Sequence, residues 1–406
     1  MIKYRNGSII ISRDIPEYVF LAVFSFFAFS KWSTYICSNI IGFRFNVYEI
    51  VLIPFIIYYR KSISQFIRYM LNSNGLSKIM VYFCLALFFM LFGCVINPNA
   101  IVYHIASYRT VFYYIFIINY FSQVKTISLG KIQTVSSFAV IGDFIYLLTM
   151  GKNESQLLIN PVALCITIIL PIVNCKIVMS IFISAFCLVA SFRSAYRFSI
   201  MIVLFSIVFS IIAIMIEKKN KKALLVSTAL FVMFFVLISN LNTIVEKLVS
   251  AFNMSNWSAS RVTERIMSLF NQDYAIGDIN RINSFYNYPN YFNNSFIPRG
   301  LFRGSIGEIG WYTDVPVMYL LDAFGTIATV LIVLVFVIHS AKTTISFFKY
   351  KNKVLAMLFV MVPNFIIMFL LNGTFLYWHY VVIISALIFG LSFNNRINHS
   401  DFITTN

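Results

Sequence analysis

The chain has 406 residues, 60% of them hydrophobic, 18% aromatic and 11% charged, with a mean hydropathy of +0.84 and a formal net charge of +17. A soluble domain carries about 25% charged residues, so this composition excludes a soluble enzyme, a disordered chain and a repeat solenoid. What remains is an all-α polytopic membrane protein, in which the basic excess reports orientation before it reports any partner, and no nucleic acid is expected to bind.

In chain order, the first residues, MIKYRNGSIIISRDIPEYVF, are basic but lack a small-residue cleavage site, so no removable leader is expected. A bilayer crossing needs about 20 mainly apolar residues. Runs of that kind, bounded by charges or turn residues, predict about 12 transmembrane helices: 16–37, 43–59, 78–96, 101–121, 132–150, 157–173, 175–191, 197–216, 222–242, 316–340, 353–372 and 374–393. Residues 1–242 thus hold helices one to nine, 243–315 form one large loop, and 316–406 hold helices ten to twelve and a tail. The cysteines Cys37, Cys84, Cys94, Cys165, Cys175 and Cys187 show no metal or disulfide spacing and read as small hydrophobes.

With the N-terminus inside and the spans alternating, 19 of the 31 basic residues fall inside, among them the clusters EKKNKK at 217–222 and KYKNK at 349–353. Of those 19, 14 are lysine; of the 12 outside or in outer halves of spans, 9 are arginine. Lysine suffices to face an anionic leaflet, whereas arginine's planar fork grips phosphate or carboxylate with two bonds. The outer side therefore reads as an anion-binding face, the alternative being arginines that solvate the loop and pair with its own acids.

Ionisable groups inside spans are costly and default to functional hypotheses. Arg109 lies in the outer half of the fourth span beside His104, Asp143 lies within the fifth, and Asp322 near the outer end of the tenth. Pairing of Arg109 with Asp143 or Asp322 is the structural alternative. Arg193 and Arg197 bracket the turn between spans seven and eight, and their spacing of four puts them on one face if the turn is helical. His379 lies near the outer end of the twelfth span, and His339 near the inner side of the chain.

The loop 243–315 has three parts. SNWSASRVTERIMSLF at 255–270 predicts an amphipathic helix, with Ser260 as cap, Glu264 in the first turn and Arg261 and Arg265 on one face; the alternative is a surface helix lying on the membrane. NRINSFYNYPNYFNNSF at 280–296, with Arg281, alternates rings with amides, a pattern suited to sugars or to an interfacial aromatic belt. PRGLFRGSIGEIGWYTD at 298–314 sets Gly300, Gly304, Gly307 and Gly310 among Arg299, Arg303, Glu308 and Asp314; such glycines let backbone amides approach an anion. It lacks the GK[ST] ending of a nucleotide-binding loop.

Three segments carry a resemblance: SFRSAYRFSIMIVL at 191–204, SASR at 258–261 and GEIGWYTDVPVMYLLDAFGTIA at 307–328. With the topology, they resemble the O-antigen polymerase (Wzy-type) family of bacterial polysaccharide synthesis, and more distantly the O-antigen ligases. The ligase-type histidine near the loop end is absent, and Asp314 stands in its neighbourhood. The resemblance implies a multi-pass inner-membrane protein with both termini cytoplasmic and the loop periplasmic. It implies a glycosyltransferase that moves a growing glycan from undecaprenyl diphosphate to an incoming undecaprenyl-diphosphate-linked repeat unit. Arg109, Arg193, Arg197, Arg261, Arg265, Arg281, Arg299 and Arg303 would hold diphosphate or glycan, and Asp314, or else Glu308, would act as base. No metal and no cofactor is expected; membrane lipid, a chain-length regulator and a flippase are candidate partners. The alternatives are a ligase-type glycosyltransferase and a lipid-linked oligosaccharide flippase or transporter.

Overall fold

A computed structural model describes residues 3–5, 8–10, 14–41, 46–50, 64, 75–96, 101–124, 126–150, 159–194, 197–217, 225–230, 316–371, 379–394, 397 and 403–405, with single positions between 232 and 250. These residues are overwhelmingly helical. The helices are α1 (Asp14–Ala28), α2 (Lys31–Tyr35), α3 (Gly75–Ile96), α4 (Ile101–Phe121), α5 (Leu129–Thr149), α6 (Pro161–Val173), α7 (Ile177–Arg193), α8 (Arg197–Glu217), α9 (Pro316–Tyr350), α10 (Lys353–Leu371) and α11 (His379–Ser392). Four three-residue strands accompany them: β1 (Lys3–Arg5) antiparallel to β2 (Ser8–Ile10), and β3 (Thr126–Ser128) parallel to β4 (Ile403–Thr405).

Leu129–Thr149, Phe198–Glu217 and Phe324–Tyr350 are long and apolar enough to cross a membrane. Their neighbours expose large apolar side chains, with Val178 82% and Phe182 73% accessible, which only a hydrocarbon surround makes inexpensive. The fold is that of an all-α membrane protein.

At the centre stands α6, all thirteen residues of which are buried. A helix apolar on every side belongs inside a bundle, and α5, α7, α8 and α10 pack around it. Its start follows from sequence: Asn160 accepts from the Ala163 N–H at 3.1 Å, and Pro161 sits at the first turn, where its missing N–H costs nothing. Its end falls at Asn174, followed by Cys175 at φ 53°. At about 1.5 Å per residue, thirteen residues reach roughly 20 Å, short of the roughly 30 Å hydrocarbon thickness. The run 157–173 is therefore a short core helix rather than a full-length span.

The first predicted span, 16–37, is likewise not continuous. Helix α1 ends at Ala28, Ser30 caps α2 by accepting from the Trp32 N–H at 3.3 Å, and a π-helical turn follows over Ile36–Ile41. The tenth runs beyond 340 to Tyr350, with Gly325 at φ 75° marking a kink. The spans 43–59 and 222–242 are described only in part, and the loop 243–315 lies, but for three positions, outside the described residues.

Two close approaches fix the packing. A Cβ on Gly142 of α5 would stand 2.5 Å from the Phe26 carbonyl oxygen of α1, and one on Gly390 of α11 would stand 2.8 Å from the Ile118 carbonyl oxygen of α4. Small residues at crossings let helix backbones meet in this way.

Polar contacts sort the helix ends into two sides. At the first, Lys131 at the start of α5 pairs with Glu17 at the start of α1 (2.6 Å). There too Asn394, beyond α11, donates to the carbonyls of Phe121 (3.0 Å) and Val124 (2.8 Å), and β4 pairs with β3. The two termini thus share this terminal side. At the other lie the end of α1, the start of α6 and the start of α11, joined by Asn160, whose amide donates to the carbonyls of Phe29 (3.1 Å) and Tyr380 (3.2 Å).

Candidate functional site at the far ends of α5 and α7

Asp143, Arg109 and Arg193 are charges buried or half-buried in the described helices, and the structure gives each a different setting. Asp143 is fully buried in the second half of α5. One carboxylate oxygen accepts from the Lys31 N–H at 2.6 Å, the other from the Asn160 N–H at 2.7 Å. Both donors belong to helix beginnings, where backbone N–H groups lack intrahelical partners and the helix dipole favours negative charge. Asp143 thereby ties the α1–α2 break to the start of α6, and Asn160 extends the tie to α11.

Arg109 pairs with neither Asp143 nor, among the described side chains, any acid other than Glu49. Its guanidinium nitrogen NH1 lies 3.1 Å from Glu49 Oε1, with the Arg109 side chain 22% and the Glu49 side chain 9% exposed. Glu49 also accepts from the Asn46 backbone N–H (2.5 Å), the Asn46 amide (3.2 Å) and the Tyr113 hydroxyl. Of the alternative pairings, the one with Asp143 is not found: that acid is engaged by backbone donors, while Glu49 is the acid at Arg109; the side chain of Asp322 lies outside the described residues. Sequence reasoning missed Glu49 although the signal was present. It is an acid inside the apolar run NVYEIVLIPF, the same pattern that drew attention to Asp143.

Arg193 is the third. It ends α7, is 3% exposed, and donates from NH2 to the Leu147 carbonyl at 3.3 Å, one turn beyond Asp143 on α5. Among the described residues its buried Nε has no hydrogen-bond partner and no carboxylate reaches ion-pair distance. Buried charges are ordinarily paired, so this guanidinium is under-satisfied. It stands at the carboxyl ends of two helices, α7 and α5, where partial negative charge favours a cation.

Arg197 does not share a helical face with Arg193. The Ser194 hydroxyl bonds the Ser191 carbonyl, the Ser194 N–H returns to Ala190, and α7 stops; Arg197 opens a separate helix, α8. The two arginines flank one turn without lying on one helix. Arg261, Arg265, Arg281, Arg299, Arg303, Glu308 and Asp314 lie outside the described residues.

The arrangement is thus a buried guanidinium fork with one donor edge that has no partner among the described residues, a chemistry suited to an anion. No family model matches the chain, and neither a curated protein nor a solved structure matches it.

Proposed function

We propose that this protein is an O-antigen or related surface-polysaccharide polymerase of the bacterial inner membrane, with about 12 spans, cytoplasmic termini and the 243–315 loop in the periplasm. The observation that carries the reading is Arg193, a buried guanidinium with no carboxylate partner among the described residues. It stands on the side opposite the termini, whereas Lys131 lies on the terminal side. Such a group suits a lipid diphosphate, whose oxygens would complete its hydrogen bonds.

In the proposed reaction, a hydroxyl of the incoming undecaprenyl-diphosphate-linked unit attacks the anomeric carbon of the growing glycan. The new glycosidic C–O bond forms as the bond from that carbon to the lipid diphosphate breaks, and the electron pair leaves with the diphosphate. Arginines stabilise that charge as it develops, Arg193 from the bundle and Arg197, Arg261, Arg265, Arg281, Arg299 and Arg303 from the turn and loop. The hydroxyl proton passes to a carboxylate, Asp314 in preference to Glu308. Arg109, held by Glu49, contributes charge from α4. A chain-length regulator and a flippase would serve the same substrate.

A deletion strain's lipopolysaccharide gel tests the reading. Loss of a polymerase leaves lipid core bearing a single repeat unit. Bare core would point to a ligase-type transferase or a flippase, and an unchanged ladder would overturn the assignment.

A further inference from the structure

A cavity of about 340 Å³ runs between α4, α9, α10 and α11, within the range of about 300–1,000 Å³ usual for small-molecule sites. Its walls are apolar, built from residues such as Phe324, Phe336, Phe365 and Phe389. Two of its lining residues, Ile332 and Val335, are 39% and 46% exposed, so the cavity opens sideways on the outward apolar face of α9. From Phe324 to Thr343 it follows α9 for nineteen residues, about 28 Å at 1.5 Å per residue.

The two ends of this slot differ. Toward the terminal side, Thr343, Leu358 and Ser392 line both the slot and a small cleft shared with Lys342, Ser346 and Asn394. At the same end His339 packs on Phe393, and its Nδ1 is buried with no hydrogen-bond partner among the described residues. Beyond Asp322, the charges carried by α9, α10 and α11 and their connections have one sign. From Ala323 to Ser400 the sequence holds Lys342, Lys349, Lys351, Lys353 and Arg396 and no aspartate or glutamate.

An apolar slot open to lipid, ending in hydroxyls, an unpaired imidazole nitrogen and lysine, is complementary to an amphiphile with a hydrocarbon chain and an anionic head. We infer that the slot holds one acyl chain of an anionic phospholipid drawn from the leaflet on the terminal side. Its phosphate lies beside Lys342, and an ester carbonyl lies within reach of His339. The site is separate from the arginine side and does not depend on the polymerase reading. A bound chain would fill the gap between α9 and its neighbours, holding the long helix against α10 and α11.

The test uses the purified full-length protein in detergent, titrated with phosphatidylglycerol or with phosphatidylcholine of the same chains, with bound lipid counted by native mass spectrometry. One phosphatidylglycerol should bind about fivefold tighter than phosphatidylcholine, equivalent to about 1 kcal/mol for one lysine at the membrane surface. Lys342→Glu should abolish the preference and leave chain binding in place. Val335→Trp, at a half-exposed position that tolerates bulk, should remove binding of both lipids, and Ile332→Trp should do the same from the neighbouring turn. Equal affinity of the unmodified protein for the two lipids would overturn the head-group assignment. Undiminished binding by both tryptophan variants would overturn the slot, and displacement of phosphatidylglycerol by substoichiometric polyprenyl phosphate would give it to a different lipid.

Discussion

Asp143 and Arg193 are both buried, and they meet the same stretch of α5: Asp143 lies one turn before Leu147, whose carbonyl accepts from Arg193. Opposite buried charges that reach the same stretch of one helix would be expected to pair. They do not. Each is bound to a helix end of the opposite sign, the acid at the starts of α2 and α6, the base at the ends of α5 and α7. The acid has both oxygens occupied by backbone donors, whereas the guanidinium keeps a buried Nε with no partner among the described residues. Equal burial therefore does not imply equal purpose: the saturated charge holds the fold, and the other is the one the proposed function calls on.

The largest expected effect comes from removing the saturated charge. Asp143→Ala leaves the Lys31 and Asn160 N–H groups buried without acceptors, at about 1–3 kcal/mol each. Monodisperse protein in detergent should fall sharply, and its thermal midpoint with it. Asp143→Asn, which keeps one oxygen acceptor, should lie between. An alanine variant as stable as the parent would refute the structural role given to Asp143.

Next is the contact that brings α1 against this part of α5. Gly142→Ala places a Cβ 2.5 Å from the Phe26 carbonyl oxygen, which no flexible side chain can yield to. The helices must separate, at about 1–3 kcal/mol, read as a lower unfolding midpoint. The Asp143 bonds to Lys31 and Asn160 should loosen with it, so Gly142→Ala and Asp143→Asn together should lose less than the sum of the two.

The intermediate case is Glu49 with Arg109. Glu49→Gln keeps one oxygen acceptor, for the Asn46 N–H or the Tyr113 hydroxyl, and removes the charge. Hydrogen bonds to charged groups are worth about 1.5–3 kcal/mol and neutral ones about 0.5–1.5 kcal/mol, so the loss should be about 1 kcal/mol. A double-mutant cycle with Arg109→Gln should return a coupling of at least about 0.5 kcal/mol. A coupling of zero would mean that Arg109 owes its position to other contacts.

These residues also show what a sequence reveals. Apolar runs expose the helices because a bilayer demands them, and a lone acid or arginine within a run is conspicuous for the same reason. Partners are another matter. Asp143 is satisfied by two backbone N–H groups, 112 and 17 residues away in the chain, and no side-chain pattern encodes either. The spacing of Arg193 and Arg197 suggested a shared face, but Ser194 closes α7 by bonding back to its last turn. Glu49 was legible by the rule that singled out Asp143. The β3–β4 pair was not, because three-residue strands so far apart in the sequence carry no periodicity.

The smallest effect on stability should come from Arg193→Lys, and it is the most informative. Lysine keeps the positive charge at the ends of α5 and α7, so the dipole contribution, typically about 0.3–1 kcal/mol and up to about 2 kcal/mol when partly buried, survives. One ammonium can still donate to the Leu147 carbonyl. What disappears is the planar fork and the Nε–H edge, which no described residue uses. If Arg193 were only a cap for two helix ends, the variant would insert, unfold at nearly the parent temperature and support a normal polysaccharide ladder. If the open edge receives a diphosphate, thermal stability should again be almost unchanged while long chains disappear from the gel and single-repeat product accumulates. Arg193→Gln separates charge from shape: it should lower stability through the lost dipole interaction as well as abolish long chains. A lysine variant that polymerises normally would assign Arg193 to the fold alongside Asp143, and the contrast between the two buried charges would reduce to one of geometry alone.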